Sequence, residues 1–262
     1  MSDELKNIVR EKYARVVTEA KDNSCCSPSC CGDSKETMTA FNEDYSQLDG
    51  YVAEADLALG CGMPLEHIEV KPGMTVLDLG SGAGNDAFIA ARLVGEEGEV
   101  IGIDFTPEMI EKARANQAKL GLQHVRFVLG DIEDMPLPDG SVDLVISNCV
   151  LNLVPDKRKA YGEIKRVLRP GGRFAISDVV LQGDLPSSLR EAAALYAGCV
   201  SGALQAEEYM QIVRDAGFTD PKVAKAREIY LPDDFLLEHL SGEQISDFRN
   251  SELGIWSYTV IT

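Results

Sequence analysis

The central part of the chain alternates short aliphatic and β-branched runs with longer helical patterns. Between Met74 and Val180, five segments have strand character: TVLDLG, EVIGID, VRFVLGD, VDLVISN and RFAISDVVL. Helical patterns such as NDAFIAARLVG and TPEMIEKARANQAKLG lie between them, the second with Thr106 as its N-cap and Gly121 just past its end. This spacing predicts βαβ units. We therefore expect an α/β fold with a Rossmann-like, mostly parallel sheet, helices on both faces, and a ligand at the carboxyl ends of the strands.

The two ends of the chain have different patterns. Before the sheet, LKNIVREKYARVV and DYSQLDGYVAEADLAL both have helical periodicity. After the sheet, SLREAAALYAGCVSGAL predicts a helix, and KVAKAREIYL and IWSYTVIT predict short strands. We therefore expect a helical N-terminal cap with a cysteine-rich arm at residues 1–70. A cofactor domain at residues 71–180 and a smaller α+β region at residues 181–262 would follow.

Composition narrows the classes of partner. The chain has 262 residues, 45% of them hydrophobic, which is enough for a substantial core. Its formal charge of −18 repels phosphate backbones, so we expect no nucleic-acid partner. No apolar run reaches the roughly 18 residues that span a bilayer, and the first residues lack the apolar segment of a signal peptide. We expect a cytoplasmic protein that is a monomer and does not associate with a membrane.

A glycine-rich turn follows the first predicted strand in LDLGSGAGND. Glycines at 80, 82 and 84 let the backbone turn sharply and lie close to a ligand, and the next helix offers free N–H groups. Asp104 ends the second strand, where a carboxylate can bind ribose hydroxyls. Gly82, Gly84 and Ala87 also satisfy the G-x-G-x-x-G/A pattern of NAD enzymes, so this turn alone does not decide the cofactor.

Three further features separate the two cofactor classes. Asp78 precedes the first glycine by two residues, an acid follows the third strand in Gly130-Asp131, and LRPGG precedes the fifth strand. Together they resemble the S-adenosylmethionine (SAM) methyltransferases of class I. The resemblance implies SAM as cofactor, with the methionine end at the glycine turn, the ribose at the second strand and the adenine at the third. The implied contacts are Asp78, Gly80, Ser81, Gly82, Gly84, Asp104, Phe105, Met109, Asp131, Ile132 and Asn148.

The acceptor side of the sheet is rich in cysteine and poor in histidine. The three histidines are His67, His124 and His239. None follows a strand at the ligand end of the sheet, so no histidine base is indicated. Cysteines are better placed: Cys149 follows the fourth strand, Cys61 lies between two glycines and Cys199 lies in AGCVSG. A lone cysteine is often a small buried hydrophobe, but three beside glycine or asparagine near loops favour a shared function.

The segments GCG, SNCVLNLVPDK and GCVSGAL closely resemble the arsenite methyltransferases, over about Phe41 to Gly217. The resemblance implies that Cys61, Cys149 and Cys199 hold As(III) or receive it from thiol adducts. Thiolates are soft ligands that suit such a centre, and its lone pair can attack the methyl group without a base. A disulfide, reduced by glutathione or a thioredoxin-type protein, would return arsenic to the trivalent state. Some relatives have a tyrosine two residues before the first cysteine, where this chain has Leu59.

Four more cysteines lie together in CCSPSCC: Cys25, Cys26, Cys30 and Cys31. They could form a tetrahedral zinc site, but adjacent cysteines diverge, and the pattern is not C-x₂-C. The polar surroundings favour an exposed loop. The working hypothesis is a flexible arm that delivers arsenic or exchanges disulfides with the deeper site. A dispensable or adventitiously metal-binding segment is the alternative.

The sequence favours a SAM-dependent arsenite methyltransferase that detoxifies arsenic, and two other functions stay open. A C-methyltransferase of a quinone-like or lipid ring would share the glycine motifs but would not need three cysteines. A thiol-rich metalloid-binding protein could retain an inactive methyltransferase core. The intact set of Asp78, Gly84, Asp104 and Asp131 argues against an inactive core.

Overall fold

The computed structural model describes residues 2–22, 43–196 and 198–262. Strands of this part form one sheet in the order β3-β2-β1-β4-β5-β7-β6. They are β1 Thr75–Leu79, β2 Glu99–Asp104, β3 Val125–Leu129, β4 Val142–Asn148, β5 Leu168–Gln182, β6 Lys222–Glu228 and β7 Gly254–Ile261. The first five pair in parallel, whereas β7 is antiparallel to both β5 and β6. This sheet confirms the predicted Rossmann-like class.

Helices cover both faces of the sheet. They are α1 Ser2–Asp22, α2 Asn85–Val94, α3 Pro107–Leu120, α4 Lys157–Val167, α5 Ser187–Tyr196, α6 Ala206–Asp215, α7 Asp233–Leu237 and α8 Gly242–Arg249. Short 3₁₀ segments occur at Pro64–His67, Leu151–Leu153 and Gly198–Gly202. Side chains alternate along β1, so Val76 packs with α2 and α3, and Leu77 packs with α4 and α6. Burial of both faces explains why the strands read as continuous aliphatic runs.

Local signals set the helix ends that the sequence predicts. Thr106 has the extended backbone of an N-cap before Pro107, and Gly121 ends α3 in the left-handed region at φ 68°. The predicted helix LKNIVREKYARVV lies within α1. KVAKARE and IWSYTVI lie within β6 and β7 as predicted. These elements were predictable because their signals lie within a few residues of each end.

Two predicted helices differ from the structure. DYSQLDGYVAEADLAL forms turns, because Asp44 and Asp56 accept hydrogen bonds from the backbone N–H two residues on, and Gly50 and Ala58 have positive φ. The helical prediction for this part of residues 1–70 was therefore wrong. The helix predicted for SLREAAALYAGCVSGAL is shorter in the structure, because α5 ends at Tyr196. Cys199 lies on the 3₁₀ segment that follows.

The C-terminal strands extend the central sheet. β5 crosses residue 180, the expected boundary between two regions, and pairs with β7 from Ala175 to Gln182. The division into three regions stays a prediction. The cysteines at 25, 26, 30 and 31 lie outside the described residues. Among the helices of the described part, none has the length and apolar character needed to cross a bilayer.

Candidate functional site

A cavity of about 1110 Å³, open to solvent, lies at the carboxyl ends of β1, β2 and β4. The glycine turn after β1, the segments after β2 and β3, and the end of β4 form its floor. Residues of α1 and of the loop before the sheet close the opposite side. The cavity therefore lies at the edge where parallel α/β sheets bind ligands, as the sequence predicts.

The glycines of the turn are required by their surroundings. Gly80, Gly82 and Gly84 have φ values of 66°, 51° and 102°, in the left-handed region. A Cβ at Gly84 would lie 2.7 Å from the Phe88 ring, and one at Gly80 would clash with Val150. Gly84 is also the N-cap of α2, so the unpaired N–H groups of that helix face the end of the sheet. The turn can therefore bring backbone donors close to a ligand.

Asp104 is held rigidly at the end of β2. One oxygen accepts a hydrogen bond from the Gly82 N–H at 3.1 Å, and the other accepts from the Thr106 N–H at 2.8 Å. Burial raises the pKa of this carboxyl, and the backbone donors oppose the shift. Asp104 lines the cavity with free lone pairs, so it can accept hydrogen bonds from ligand hydroxyls.

Asp131 meets the N-terminal helix. Its Oδ1 accepts from the Glu133 N–H at 2.9 Å, and its Oδ2 accepts from the Lys6 ammonium at 2.6 Å. Lys6 also contacts Glu133. This contact attaches α1 to the segment after β3, so α1 forms a wall of the cavity at the position predicted for an adenine.

Several buried polar atoms around the turn have no hydrogen-bond partner within the described structure. They are Asp78 Oδ2, Ser81 Oγ, Asn85 Oδ1, Asp86 Oδ1 and Thr106 Oγ1. Burial, with the nearby Asp86 and Asp104 carboxylates, raises the pKa of Asp78 well above its usual range. Burial raises the pKa of Asp86 to about 6. Unpaired acceptors of this kind call for a ligand that is cationic or rich in N–H and O–H donors.

The structure brings the predicted cofactor residues together. The cavity wall contains Asp78, Gly80, Ser81, Gly82, Asp104, Phe105, Met109, Asp131, Ile132 and Asn148. Gly84 instead caps α2 directly behind the turn. Leu59, at the position where some relatives have tyrosine, also lines the cavity.

Cys149 directly follows β4 and has an unusual backbone. Its φ is 61°, which is unfavourable for a residue with a side chain and costs about 1–3 kcal/mol. Its N–H donates to the Ser177 carbonyl on β5 at 2.7 Å, which holds this conformation. The Cys149 side chain is buried and lines the cavity, and it packs in one cluster with Cys61 and Cys199. The three cysteines that the sequence singles out thus converge from far-apart segments.

Contacts from three elements fix the Cys61 loop. The Cys61 carbonyl accepts hydrogen bonds from Ser257 Oγ at 2.6 Å and from Arg227 at 3.1 Å. A Cβ at Gly60 would lie 2.7 Å from Asn148 Nδ2, and one at Gly62 would lie 2.6 Å from Ser177 Oγ. The glycines on both sides of Cys61 therefore let the loop lie against β4 and β5.

Cys199 reaches the same place from the 3₁₀ segment after α5. At the end of this segment, a Cβ at Gly202 would clash with the Asn152 carbonyl. Asn152 donates from its side chain to the Val179 carbonyl at 2.7 Å, so its own position is fixed. Close packing on Asn152 therefore sets the position of the segment that carries Cys199. Cys199 is partly exposed, whereas Cys61 and Cys149 are buried.

The buried thiols are protonated at neutral pH. Burial raises the pKa of the Cys61 thiol. Hydrogen bonds with Cys199 and Cys61, together with burial, raise the pKa of Cys149 well above its usual range. Within the described residues, no group of three or more His, Cys, Asp or Glu side chains is arranged to hold a metal ion. The three cysteines therefore pack near one another, and a closure would be needed to bring all three sulfurs onto one atom.

A helical cap at residues 1–70 was expected, but the residues of α1 that line the cavity were not predicted. Tyr13 lines the cavity together with Cys149 and Asp104. It is only partly buried as a residue, but burial of its phenol raises its pKa, with smaller contributions from the three cysteines and Asp104. Its place on the helical pattern was visible in the sequence, but the surface against which α1 packs was not. No histidine occurs in the wall formed by the described residues.

A separate buried polar cluster lies behind β5. Asp178 accepts a hydrogen bond from the Tyr209 hydroxyl at 3.2 Å, and Tyr209 in turn accepts from the Tyr161 hydroxyl at 2.7 Å. Burial raises the pKa of Asp178 to about 7, although the nearby Lys157 charge opposes the shift. Asp178 is not part of the cavity wall.

Comparison with known proteins identifies the family. The model of the methyltransferase domain matches residues 70–217. The arsenite methyltransferase of Halobacterium salinarum is 44% identical over 86% of this chain, which covers 60% of that protein. The arsenite methyltransferase of Aquipseudomonas alcaligenes is 36% identical over 88% of this chain, which covers 67% of that protein.

A solved structure agrees with these relatives. The arsenic(III) SAM methyltransferase CrArsM of Chlamydomonas reinhardtii superposes with a TM-score of 0.65 at 40% identity, over 77% of this chain and 66% of that one. The present chain thus spans about two thirds or less of the length of these relatives. The matched domain, the identities and the shared fold together show that the chain belongs to the arsenite methyltransferase family of SAM-dependent methyltransferases.

Proposed function

We propose that this protein transfers methyl groups from SAM to trivalent arsenic bound by Cys61, Cys149 and Cys199. The observation that carries the proposal is the packing of Cys61, Cys149 and Cys199 in one cluster, where the pKa of Cys149 is raised by both of the other cysteines. Cys149 also lines the cavity that contains the predicted cofactor residues. Acceptor and cofactor would therefore meet at one sulfur.

The cavity fits SAM by charge and shape. The unpaired oxygens of Asp78 and Asp86 suit an ammonium group, and Asp104 suits ribose hydroxyls. Asp131 and Ile132 would meet the adenine edge, with Phe105 and Met109 beside the ring. When bound, SAM supplies an electrophilic methyl group on a sulfonium. The acidic wall favours this positive charge and raises its local concentration.

The thiols would capture arsenite by exchange. Each Cys–SH replaces one hydroxyl of As(OH)₃, an As–S bond forms, and the thiol proton leaves with the hydroxyl as water. Three exchanges release three waters and no net protons, which suits Cys61 and Cys149, whose thiol pKa values are raised. The exchange also requires Cys61 and Cys199 to close around the metalloid. Arsenic held by three sulfurs keeps its lone pair, so no general base is needed for attack on the methyl carbon.

The return to trivalent arsenic would also use the cysteines. Methyl transfer raises arsenic formally to As(V), and two bound sulfurs can supply two electrons by forming a disulfide as they leave. An external thiol of the glutathione or thioredoxin class then reduces that disulfide. Cys25, Cys26, Cys30 and Cys31 are proposed to exchange disulfides with the inner site or to deliver arsenic to it. We place the reaction in the cytoplasm, where such reductants keep thiols reduced, and expect a monomer.

The proposal is tested with the purified chain, SAM, a thiol reductant and arsenite. Methylated arsenic and S-adenosylhomocysteine (SAH) are expected together. Cys149→Ser and Cys199→Ser should abolish every methylation step. Cys61→Ser should still methylate monomethylarsenite, which has one fewer bond to give to sulfur. Replacement of the four arm cysteines by serine should slow multiple turnovers but not the first.

Three results would overturn the assignment. SAH release only with a quinone-like or lipid ring would instead indicate a C-methyltransferase. Tight arsenite binding with no formation of SAH from SAM would instead indicate a metalloid-binding protein. Unchanged activity after loss of Cys149 would exclude the proposed acceptor site.

A further inference from the structure

Asn148 links the proposed cofactor site to the Cys61 loop. Its Oδ1 accepts hydrogen bonds from the N–H groups of Cys61 at 3.0 Å and Gly62 at 3.3 Å. Its Nδ2 donates to the Tyr45 hydroxyl at 2.5 Å, the Gly62 carbonyl at 2.7 Å and Asp86 Oδ2 at 3.2 Å. Both ends of the amide are therefore engaged by protein groups, and the side chain is not free to bind a ligand by itself.

These contacts require an amide. A carboxylate in its place could accept from the Cys61 loop but could not donate to Gly62, Tyr45 or Asp86. An aliphatic side chain could do neither and would leave two buried N–H groups unpaired. Because Asn148 is the residue before Cys149, its side chain fixes the Cys61 backbone relative to Cys149. The glycine at 60 permits this approach, since a Cβ there would lie 2.7 Å from Nδ2.

The other side of the amide contacts an acid of the cavity wall. Asp86 lies in the first turn of α2 and lines the cavity, and its second oxygen has no hydrogen-bond partner in the described structure. Tyr45 is buried and also donates to the Gly62 carbonyl at 2.6 Å. An unbroken series of hydrogen bonds therefore runs from the cavity acid through Asn148 to the loop that carries Cys61.

We propose that Asn148 is a positioning residue that couples cofactor occupancy to the placement of Cys61 beside Cys149. The inference rests on the proposed function. A cationic group at the free oxygen of Asp86 keeps this carboxylate charged, and a charged acceptor binds Nδ2 more strongly. The amide is then held in the orientation that presents Oδ1 to the Cys61 and Gly62 N–H groups. Cofactor and arsenite should therefore each tighten the binding of the other by the same factor.

The test measures binding without turnover. Arsenite affinity is determined by calorimetry for the full-length chain, with and without SAH, which retains the ammonium group. In the unchanged protein SAH should tighten arsenite binding by about 5-fold or more, within the usual range of coupling. In Asn148→Asp this factor should fall close to one, and arsenite binding should weaken in the absence of SAH.

Controls separate coupling from general damage. Asn250 is exposed and bonds only within its own helix end, so Asn250→Asp should keep the full coupling factor. If Asn148→Asp does not fold, Tyr45→Phe decides the matter, because it removes one partner of the amide and should lower the factor partly. Undiminished coupling in the folded variant, or no coupling in the unchanged protein, overturns the inference. If the unchanged protein forms methylated arsenic without coupling, only this inference fails. If it methylates no arsenic, the proposed function fails.

Discussion

Replacing Gly62 by alanine tests whether the close contact between the Cys61 loop and β5 sets the geometry of the thiol site. The new Cβ would lie 2.6 Å from Ser177 Oγ and 2.8 Å from Ser177 Cβ, whereas ordinary contacts begin at 3.4 Å. Loop or strand must therefore move by about 0.8 Å to reach 3.4 Å. Ser177 cannot turn away freely, because it is buried and its hydroxyl is hydrogen-bonded to Thr259 at 2.8 Å.

The displacement should reduce activity more than it reduces folding. Overpacking of this kind costs about 1–3 kcal/mol of stability. A shift approaching 1 Å at reacting atoms can cost about 100-fold in rate, equivalent to about 2.7 kcal/mol of activation free energy. We therefore expect Gly62→Ala to fold, to bind SAH normally, and to lose about 10–100-fold in kcat/KM for arsenite methylation.

The assay combines denaturant unfolding with methylation kinetics, and Gly162→Ala is the matched control. Gly162 lies in α4 with nothing within 4 Å of an added Cβ. Its replacement should leave kcat/KM unchanged and stabilise the protein by up to about 1 kcal/mol. Adding Ser177→Ala to Gly62→Ala removes the nearest contact and should restore part of the activity. A Gly62→Ala enzyme within about threefold of the unchanged kcat/KM would refute the reasoning, because the loop would then tolerate the shift.

Two further predictions concern α1 and the cluster behind β5. Tyr13→Ala should lower kcat/KM by about tenfold or more, because it admits water to the cavity. Tyr13→Phe, and Lys12→Ala at an exposed position, should keep kcat/KM within about threefold of the unchanged protein. Equal losses in the Phe and Ala variants would contradict the role of Tyr13 in filling the cavity. Asp178 has a folded pKa of about 7 against an ordinary 3.8, so the native state binds the proton more tightly and the free energy of unfolding falls as pH rises through this window. In denaturant unfolding, the free energy of unfolding of Asp178→Asn should therefore exceed that of the unchanged protein by a margin that grows from about zero at pH 4 towards about 4 kcal/mol at pH 8. If the free energies of unfolding of the two proteins depend on pH in parallel, the prediction is wrong.

The central sheet and the cofactor turn were predictable because their signals are local. Strands β1, β2 and β4 are largely aliphatic and buried on both faces, and α3 has an N-cap before proline and a left-handed glycine at its end. The turn of Gly80 to Gly84 needs positive φ at successive glycines, which few other sequences allow. The cofactor contacts implied by the resemblance to SAM methyltransferases stay a prediction, and all of them lie in one continuous stretch of the chain.

Long-range contacts decided the features that the sequence left unpredicted. The segment from Asp44 to Ala58 has apolar residues at helical spacing, but aspartate side chains bond to nearby N–H groups and form turns instead. Lys6 binds Asp131 across 125 positions, and nothing near Lys6 in the chain indicates that partner. A helical N-terminal cap was expected, but the position of Tyr13 in the cavity wall depends on such pairings and could not be read from periodicity.

The cysteine site combines both kinds of information. Each cysteine has a local mark, since glycine flanks Cys61 and closes the segment of Cys199, and asparagine precedes Cys149. The glycines are needed because of contacts with another segment of the chain: the Cys61 loop packs on Asn148, and Gly202 packs on Asn152. An added methyl group at Gly60, Gly62 or Gly202 would clash with its neighbours, so the backbone of these loops lies closer to them than a side chain would allow. These close backbone contacts, with the strained backbone at Cys149, favour a functional role for the three cysteines over one in which each only fills the core.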